Sequence, residues 1–185
     1  MKKIFGISVI FTMILINTHV LGQEGGRVSE EGVEGKHSLA LVLMHSRIGQ
    51  GRNEAGMKQF TTVPAFALDY NYWFAENFAI GLHTDFLNEN FIVESESGGE
   101  LIERERPIAP VIMATYSAGE HFNFSLGFGG EFAEGDDYFV TRFAVEYGVE
   151  IRNGWAMLAS ISQDFRANVY NVTSVGLGVE KRFGR

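Results

Sequence analysis

His83 and Asp85 are the residues of this 185-residue sequence whose types and spacing come nearest to catalytic chemistry. Two residues apart on a β-strand, their side chains would share one face, about 7 Å apart along the strand. With a serine hydroxyl they could form a hydrolase-like site, and the available serines are Ser125, Ser160 and Ser162. Nucleophilic catalysis requires a base within hydrogen-bond distance of the hydroxyl, and the sequence provides no such contact. We therefore expect a structural histidine and no enzyme.

Other groups with ligand chemistry are also isolated in the sequence. Glu134, Asp136 and Asp137 could offer oxygens to Ca²⁺ or Mg²⁺, but their spacing matches no complete binding loop. His37 and His45 share an apolar stretch and would lie ~26 Å apart along a strand, too far to share a metal. No phosphate-binding loop or dinucleotide fingerprint occurs. We expect no metal site and no cofactor.

The elements that must position these residues alternate in hydrophobicity with a period of two, which is typical of half-buried β-strands. Between residues 138 and 151, for example, Phe139, Phe143 and Tyr147 alternate with more polar or smaller residues such as Arg142 and Glu146. The pattern predicts eight strands, at approximately 37–48, 58–74, 78–91, 105–117, 121–131, 138–151, 154–165 and 170–183.

The links between the predicted strands alternate in length. Tight turns at residues 75–77, 118–120 and 152–154 alternate with longer links at 49–57, 92–104, 132–137 and 166–169. This is the pattern of an antiparallel up-and-down transmembrane barrel, with the short turns on the periplasmic side. We expect the longest link to be a charged hairpin in solvent, and the place where any surface partner would bind.

Alternation alone also fits a soluble lipocalin-like ligand-binding barrel, so the composition of the two strand faces has to distinguish them. The less apolar face is mostly Gly, Ala, Ser and Thr, which suit the narrow interior of an eight-stranded barrel better than a water-facing surface. The other face carries large residues, with aromatics near the strand ends, as the two girdles of a membrane barrel require. We therefore favour an all-β transmembrane barrel, with the soluble barrel as the structural alternative.

Several charged residues fall on the predicted inner face. Burying charge is unfavourable unless the charge is paired and hydrogen-bonded. We expect a polar network that fills the lumen, in which Arg142 and Arg182 bind neighbouring carboxylates; a polar conduit or small-ion site is the alternative. The full set is Asp69, His83, Asp85, Glu131, Arg142, Glu146, Glu150, Asp164, Glu180 and Arg182.

Composition and the N-terminus restrict the class and compartment of the protein. The sequence has no cysteine, which excludes disulfide scaffolds and thiol chemistry. Its formal charge of 15 − 23 = −8 disfavours nucleic acid as a partner. Lys2 and Lys3 precede an uncharged apolar run that ends near Gly22, the arrangement of a secretory signal. We expect a cleaved signal peptide at 1–22, a disordered periplasmic tail at 23–36 and the barrel at 37–185.

The last predicted strand carries the most specific motif. Val175, Leu177 and Val179 alternate with small residues before the aromatic Phe183. This resembles the C-terminal assembly signal of the small eight-stranded outer-membrane β-barrels, the superfamily of the OmpA transmembrane domain and OmpX-like proteins, although Lys181 departs from it. The resemblance implies the bacterial outer membrane as location, and membrane lipid and the barrel assembly machinery as partners. Members range from anchors and adhesins to a few lipid-modifying enzymes.

Together these features predict a monomeric outer-membrane barrel with a structural or surface-interaction role. A narrow pore or small-solute channel is one alternative, and it requires a continuous wet path past Arg142 and Glu146. A lipid-modifying hydrolase is another, and it requires a serine hydroxyl near His83.

Overall fold

The structure is a computed structural model that describes residues 36–95, 99–167 and 169–184. These residues belong to one compact unit of the chain, Gly32–Arg185. The predicted signal peptide at 1–22, and all but the last residue of the predicted tail at 23–36, lie outside the described residues. No helix in the described ranges is long and apolar enough to cross a membrane.

Eight long antiparallel strands close into a barrel, as the alternating pattern predicts. Around the barrel the order is β1-β11-β10-β9-β8-β7-β4-β3, so the first strand pairs with the last. The barrel strands are β1 (His37–Ile48), β3 (Thr61–Ala75), β4 (Phe78–Leu87), β7 (Ile108–Ala118), β8 (Phe122–Glu131), β9 (Tyr138–Arg152), β10 (Trp155–Arg166) and β11 (Tyr170–Phe183). Three short strands lie outside this ring: β2 (Gly51–Arg52), β5 (Phe91–Glu94) and β6 (Leu101–Arg104).

Side chains alternate between the lumen and the outer surface along each barrel strand. Leu43 and Leu177, opposite each other in the β1–β11 register, are 68% and 70% exposed on the outside. The inward neighbours of Leu177 are glycines: a Cβ on Gly178 would lie 2.5 Å from the carbonyl oxygen of Leu41. Glycine is therefore required there by the close approach of the two strands. The apolar exterior and polar interior are the reverse of a soluble ligand-binding barrel.

Tight turns close one rim of the barrel, which we call the short-turn end. Between β9 and β10, Asn153 and Gly154 have φ angles of 53° and 72°. Positive φ at both central residues is the requirement of the two-residue hairpin turn that suits twisted strands, and Asn-Gly is its preferred sequence.

The opposite rim carries a structure that the sequence analysis did not predict. Strands β2, β5 and β6 form a separate three-stranded antiparallel sheet, in the order β2-β5-β6, which we call the outer sheet. The hairpin expected at 92–104 is present as the antiparallel strands β5 and β6, but the expectation that it lies in solvent is wrong for its described residues, because Val93 and Arg104 are buried. The predicted strand at 78–91 ends early, at Leu87, because the polar sequence Asn88-Glu89-Asn90 turns the chain, and the backbone amide of Asn88 bonds the carbonyl of Pro64. Two other strands also begin three residues later than predicted, at Thr61 and Ile108.

The outer sheet is anchored by an apolar core. Val93 and Phe91 of β5 are buried in a cluster with Tyr170 of β11 and Val63 of β3, and Ile102 of β6 packs against it. Apolar contact of this kind is the main source of stability for so small a sheet. The outer sheet is therefore part of the folded barrel end.

Candidate functional site in the barrel lumen

Arg142, on the inner face of β9, lies at the centre of the charged side chains in the lumen. Its Nε and Nη2 donate to the two carboxylate oxygens of Asp164 at 2.7 and 2.8 Å, and its Nη1 donates to Asp85 at 2.7 Å. All three side chains are buried. A planar guanidinium suits this arrangement because its fixed donors can bind one carboxylate in bidentate fashion and still reach a second.

Glu131 extends this set of ion pairs toward the outer rim. Its side chain is fully buried and accepts hydrogen bonds from Arg166 at 2.5 Å, from Arg104 at 2.8 Å and from the hydroxyl of Tyr170. Arg166 also reaches Asp164, at 3.4 Å. Carboxylates and guanidiniums therefore alternate from Asp85 to Arg104. We call these six charged residues, Asp85, Arg104, Glu131, Arg142, Asp164 and Arg166, the outer cluster.

Arg104 connects the outer sheet to the lumen. It is the last residue of β6, fully buried, and its Nη1 donates to the carbonyl oxygen of Asp136 at 2.6 Å. Its guanidinium also lies 4.6 Å from the ring centre of Tyr138. Burial alone would lower the pKa of Arg104, but the carboxylate of Glu131 more than offsets this and raises the pKa above its ordinary value. The ion pair therefore holds Arg104 charged at the barrel mouth.

The inner half of the lumen contains a different set of charges. His83 Nε2 is 2.9 Å from Asn71 Oδ1, and His83 Nδ1 is 3.7 Å from Asp69 Oδ1. The backbone of Thr84 hydrogen-bonds the Asp69 side chain, but the Asp69 Oδ1 atom is buried without a hydrogen-bond partner. Burying a carboxylate oxygen without a hydrogen-bond partner costs desolvation free energy, which makes this position unfavourable for a charged group.

Two further carboxylates lie nearer the short-turn end. Glu146 is buried and hydrogen-bonded to Asn123. Glu180 is buried and accepts from Arg182 Nε at 3.0 Å, while the Arg182 guanidinium lies 4.7 Å from the ring centre of Trp73. We call Asp69, His83, Glu146, Glu180 and Arg182 the inner cluster.

The two clusters differ in charge balance. The outer cluster has three carboxylates and three guanidiniums, which sum to zero. The inner cluster has three carboxylates and one guanidinium, −3 + 1 = −2 with histidine counted as neutral. Since both sets lie in the barrel interior, only the outer one satisfies its own charges.

A cavity opens from the short-turn end toward the inner cluster. Its volume is about 430 Å³, and its lining includes Asn123, Leu158, Glu180 and Arg182. Glu150, assigned to the lumen by sequence, also lines this cavity but is an exposed residue close to the rim. Because Asn123 also binds Glu146, the cavity adjoins the inner cluster.

The catalytic and metal hypotheses can be compared with this geometry. Among the described residues, no serine hydroxyl is hydrogen-bonded to His83; Ser125 instead pairs with Thr115 at 2.8 Å. The same part of the chain holds no group of three or more His, Asp or Glu side chains placed to bind a metal ion. The His83 imidazole instead hydrogen-bonds the Asn71 amide and lies 3.7 Å from the Asp69 carboxylate.

The structure divides the predicted lumen residues, except the exposed Glu150, between the two clusters and adds residues that the sequence analysis missed. Arg104, Arg166 and Tyr170 all bind Glu131 and were not among the predicted set. Arg166 follows Asp164 by two residues, so extending the predicted strand at 154–165 by one residue would have placed Arg166 on the inner face as well. Arg104 had no comparable signal, because its outer sheet was not predicted.

Comparison with known proteins identifies the architecture. No protein-family model matches the sequence, and no curated protein matches it. Among solved structures, the chain is similar to Ail, the attachment invasion locus protein of Yersinia pestis, solved with the heparin analogue sucrose octasulfate: 17% identity over 82% of this chain and 100% of that one, TM-score 0.56. It is also similar to the N-terminal β-barrel domain of Pseudomonas aeruginosa OprF, with 10% identity over 81% and 100% of the two chains and TM-score 0.53. The third is OprG from the same organism, with 11% identity over 82% and 99% and TM-score 0.51.

The chain has the fold of the small eight-stranded outer-membrane β-barrels. At its short-turn end, the outer surface of the barrel carries aromatic and histidine side chains. His37 stacks on Phe183, with ring centres 5.7 Å apart, and hydrogen-bonds the Tyr70 hydroxyl at 2.7 Å. Lys181, which departs from the assembly pattern, lies 5.3 Å from the ring centre of Trp155. Aromatic and basic side chains at this level are suited to a membrane–water interface.

Proposed function

We propose that this protein is an exported barrel of a bacterial outer membrane, closed to ion flow, with a structural or surface-interaction role and no catalytic activity. The observation that carries the proposal is the outer cluster. Arg142 spans from Asp164 on β10 to Asp85 on β4, and Arg104 joins the outer sheet to Glu131. Ion pairs and apolar packing thus occupy the outer half of the lumen.

The outer surface supports the membrane location. Leu43, Ile112 and Leu177 are 68%, 62% and 70% exposed in the middle of their strands, where water would be an unfavourable neighbour. The basic start and apolar run of residues 1–22 support export, with the mature chain beginning at Gln23. In this orientation the short turns face the periplasm and the outer sheet faces the cell exterior.

Partners follow from the same proposal. Membrane lipid surrounds the barrel, and the alternating face of Val175, Leu177, Val179 and Phe183 is the segment that the barrel assembly machinery would read. The closed β1–β11 pairing leaves no edge among the eight barrel strands for a second copy, which supports a monomer. Ail was solved with a heparin analogue, a polyanion; the acidic outer residues here, such as Glu103 and Glu105, do not favour such a ligand.

The narrow pore is the main competing function. It requires water to pass Arg142, whose donors bind two carboxylates in the outer cluster. A planar lipid bilayer containing the purified, folded protein should therefore show no current steps above the lipid background. Stable single-channel steps that depend on added protein would contradict the closed barrel, and a larger barrel of known conductance serves as the positive control.

The membrane location is tested by two matched leucines. Leu177 lies in the middle of the outer barrel surface, whereas Leu101 is exposed on the outer sheet. Leu177→Arg should destabilise folding into lipid vesicles by about 2–4 kcal/mol, the cost of a charge near the bilayer midplane. Leu101→Arg makes the same chemical change in water and should have little effect. The folded fraction, read as the gel-mobility shift between unheated and boiled samples, measures both; equal effects would contradict the proposal.

A further inference from the structure

The imidazole of His83 and the carboxylate of Asp69 face each other across the β3–β4 pairing. The two residues are directly opposite in the antiparallel register, and His83 Nδ1 lies 3.7 Å from Asp69 Oδ1. Both side chains are buried, with exposed fractions of 5% and 7%. Asp69 Oδ1 has no hydrogen-bond partner. Two polar atoms therefore meet in the lumen at a separation just beyond a hydrogen bond.

Asn71 determines which nitrogen of the His83 ring carries a hydrogen. His83 Nε2 is 2.9 Å from Asn71 Oδ1, and an amide oxygen can only accept, so Nε2 is the donor. The amide has room to make this contact because the residue opposite Asn71 is Gly81, where a Cβ would lie 2.1 Å from Oδ1. A neutral imidazole with its hydrogen on Nε2 has a lone pair on Nδ1, the atom that faces Asp69.

A lone pair on Nδ1 and a carboxylate oxygen are two acceptors, and burying them against each other leaves both without a donor. One added proton removes this conflict, because it is bound by one atom and hydrogen-bonded to the other. We infer that His83 and Asp69 form a proton-binding site, in which a single proton taken up from water lies between Nδ1 and Oδ1. Uptake of the proton raises the charge of the inner cluster by one.

The surroundings of the pair favour the added proton. The adjacent strands β1 and β7 place Ala40 and Val111 beside it, and neither side chain titrates. The charged groups that face the pair are three carboxylates and one guanidinium: Asp85 on β4, Glu146 and Arg142 on β9, and Glu180 on β11. The guanidinium is already bound to two carboxylates in the outer cluster.

The cavity at the short-turn end gives water a route toward the site. Asn123 lines this cavity and binds Glu146, and Glu146 in turn faces His83. The proton is therefore exchanged with the compartment at the short-turn end. This inference does not depend on whether the outer half of the barrel conducts ions.

Solution NMR of the isotope-labelled, folded protein in detergent micelles tests the inference. The ring nitrogens of His83, assigned by their loss in His83→Gln, and the Asp69 carboxyl carbon are followed between about pH 5 and about pH 9. We expect Nδ1 and the carboxyl group to titrate in one common step, while Nε2 keeps its hydrogen throughout. Asp69→Asn preserves the shape of the side chain and should leave Nδ1 unprotonated over the whole range. Glu150→Gln, which neutralises an exposed carboxylate of the cavity wall, is the matched control and should retain the common step.

The pH dependence of unfolding gives a second readout. Above about pH 6.5, the ordinary pKa of histidine, the unfolded chain holds no proton on either residue. The folded protein then binds one proton more, so stability falls as the pH rises and the site releases it. In that interval the unfolding constant of the wild type should rise more steeply than that of Asp69→Asn, by up to about tenfold per pH unit.

Three results would overturn the inference: an Nδ1 lone pair without a proton at every pH, separate titration of Nδ1 and the carboxyl group, or an Nδ1 titration that Asp69→Asn leaves unchanged. The wild-type spectra alone distinguish the first two from the expected result, so the test stands even if a variant does not fold.

Discussion

The outer and inner halves of the lumen differ in how completely their buried carboxylates are paired with guanidiniums. In the outer half every carboxylate faces at least one guanidinium at 3.4 Å or less. In the inner half the only guanidinium of the cluster, Arg182, is 43% exposed, and its one ion-pair partner among the described residues is Glu180. The same barrel walls can therefore enclose a set of charges that is complete and one that is not.

The difference follows from what each end of the barrel has available. The outer cluster receives Arg104 from the outer sheet, whose apolar packing places that side chain over the barrel mouth. Among the described residues, the short-turn end has only tight turns, none of which covers it, and a cavity remains. Where the fold supplies a covering element the charges can be neutralised internally; where it does not, solvent or a ligand has access.

The largest effect should come from removing the central cation of the outer cluster. Arg142→Met leaves Asp85 without its ion-pair partner and Asp164 with only the longer contact to Arg166. Breaking a buried ion pair by deleting one partner costs about 3–5 kcal/mol. Urea unfolding of the protein in lipid vesicles measures the change.

Arg182→Met is the matched control for the inner half. It removes a guanidinium that is 43% exposed, and we expect a cost below about 1 kcal/mol. Equal costs for the two variants would mean that the two halves do not differ in the way described.

The barrel strands could be predicted from sequence because alternation is a local property. The sizes of residues such as Leu177 and Gly178 indicate which of them faces outward and which faces the lumen. The outer sheet could not, since β2 has only two residues and β5 and β6 four each, too few to show a period. The pairing of Arg104 with Glu131 depends on that sheet, so the alternating pattern could not predict it either.

In the lumen, the alternation indicates which residues face inward but not which of them meet. Arg142 binds Asp164 on the adjacent strand β10, but also Asp85 on β4, three strands away on its other side in the closed ring. That contact depends on the diameter and stagger of the barrel and on side-chain conformation. The sequence analysis nevertheless expected Arg142 and Arg182 to bind neighbouring carboxylates, and both do, on Asp164 and Glu180.

Replacing one aspartate by asparagine in each half of the lumen should change the stability less than Arg142→Met does, and in opposite directions in the two halves. Asp69→Asn removes a buried charge whose Oδ1 has no partner, and should be neutral or stabilising by up to about 1 kcal/mol. Asp85→Asn makes the same change where Arg142 donates at 2.7 Å, and should destabilise by about 1–3 kcal/mol. Urea unfolding in vesicles compares them, and destabilisation by Asp69→Asn as large as that by Asp85→Asn would refute the contrast.

Accessibility of the two halves to a cationic thiol reagent tests the central claim most directly. The sequence has no cysteine, so single cysteine variants report without background. Ala156 lines the inner cavity, and Val140 is a fully buried residue of the outer half. In the folded protein, Ala156→Cys should react with a trimethylammonium thiosulfonate, while Val140→Cys should react only after unfolding. Comparable labelling of both positions in the folded barrel would mean that the reagent enters the outer half of the lumen as readily as the cavity, and would contradict a lumen that is closed at the outer end and open at the short-turn end.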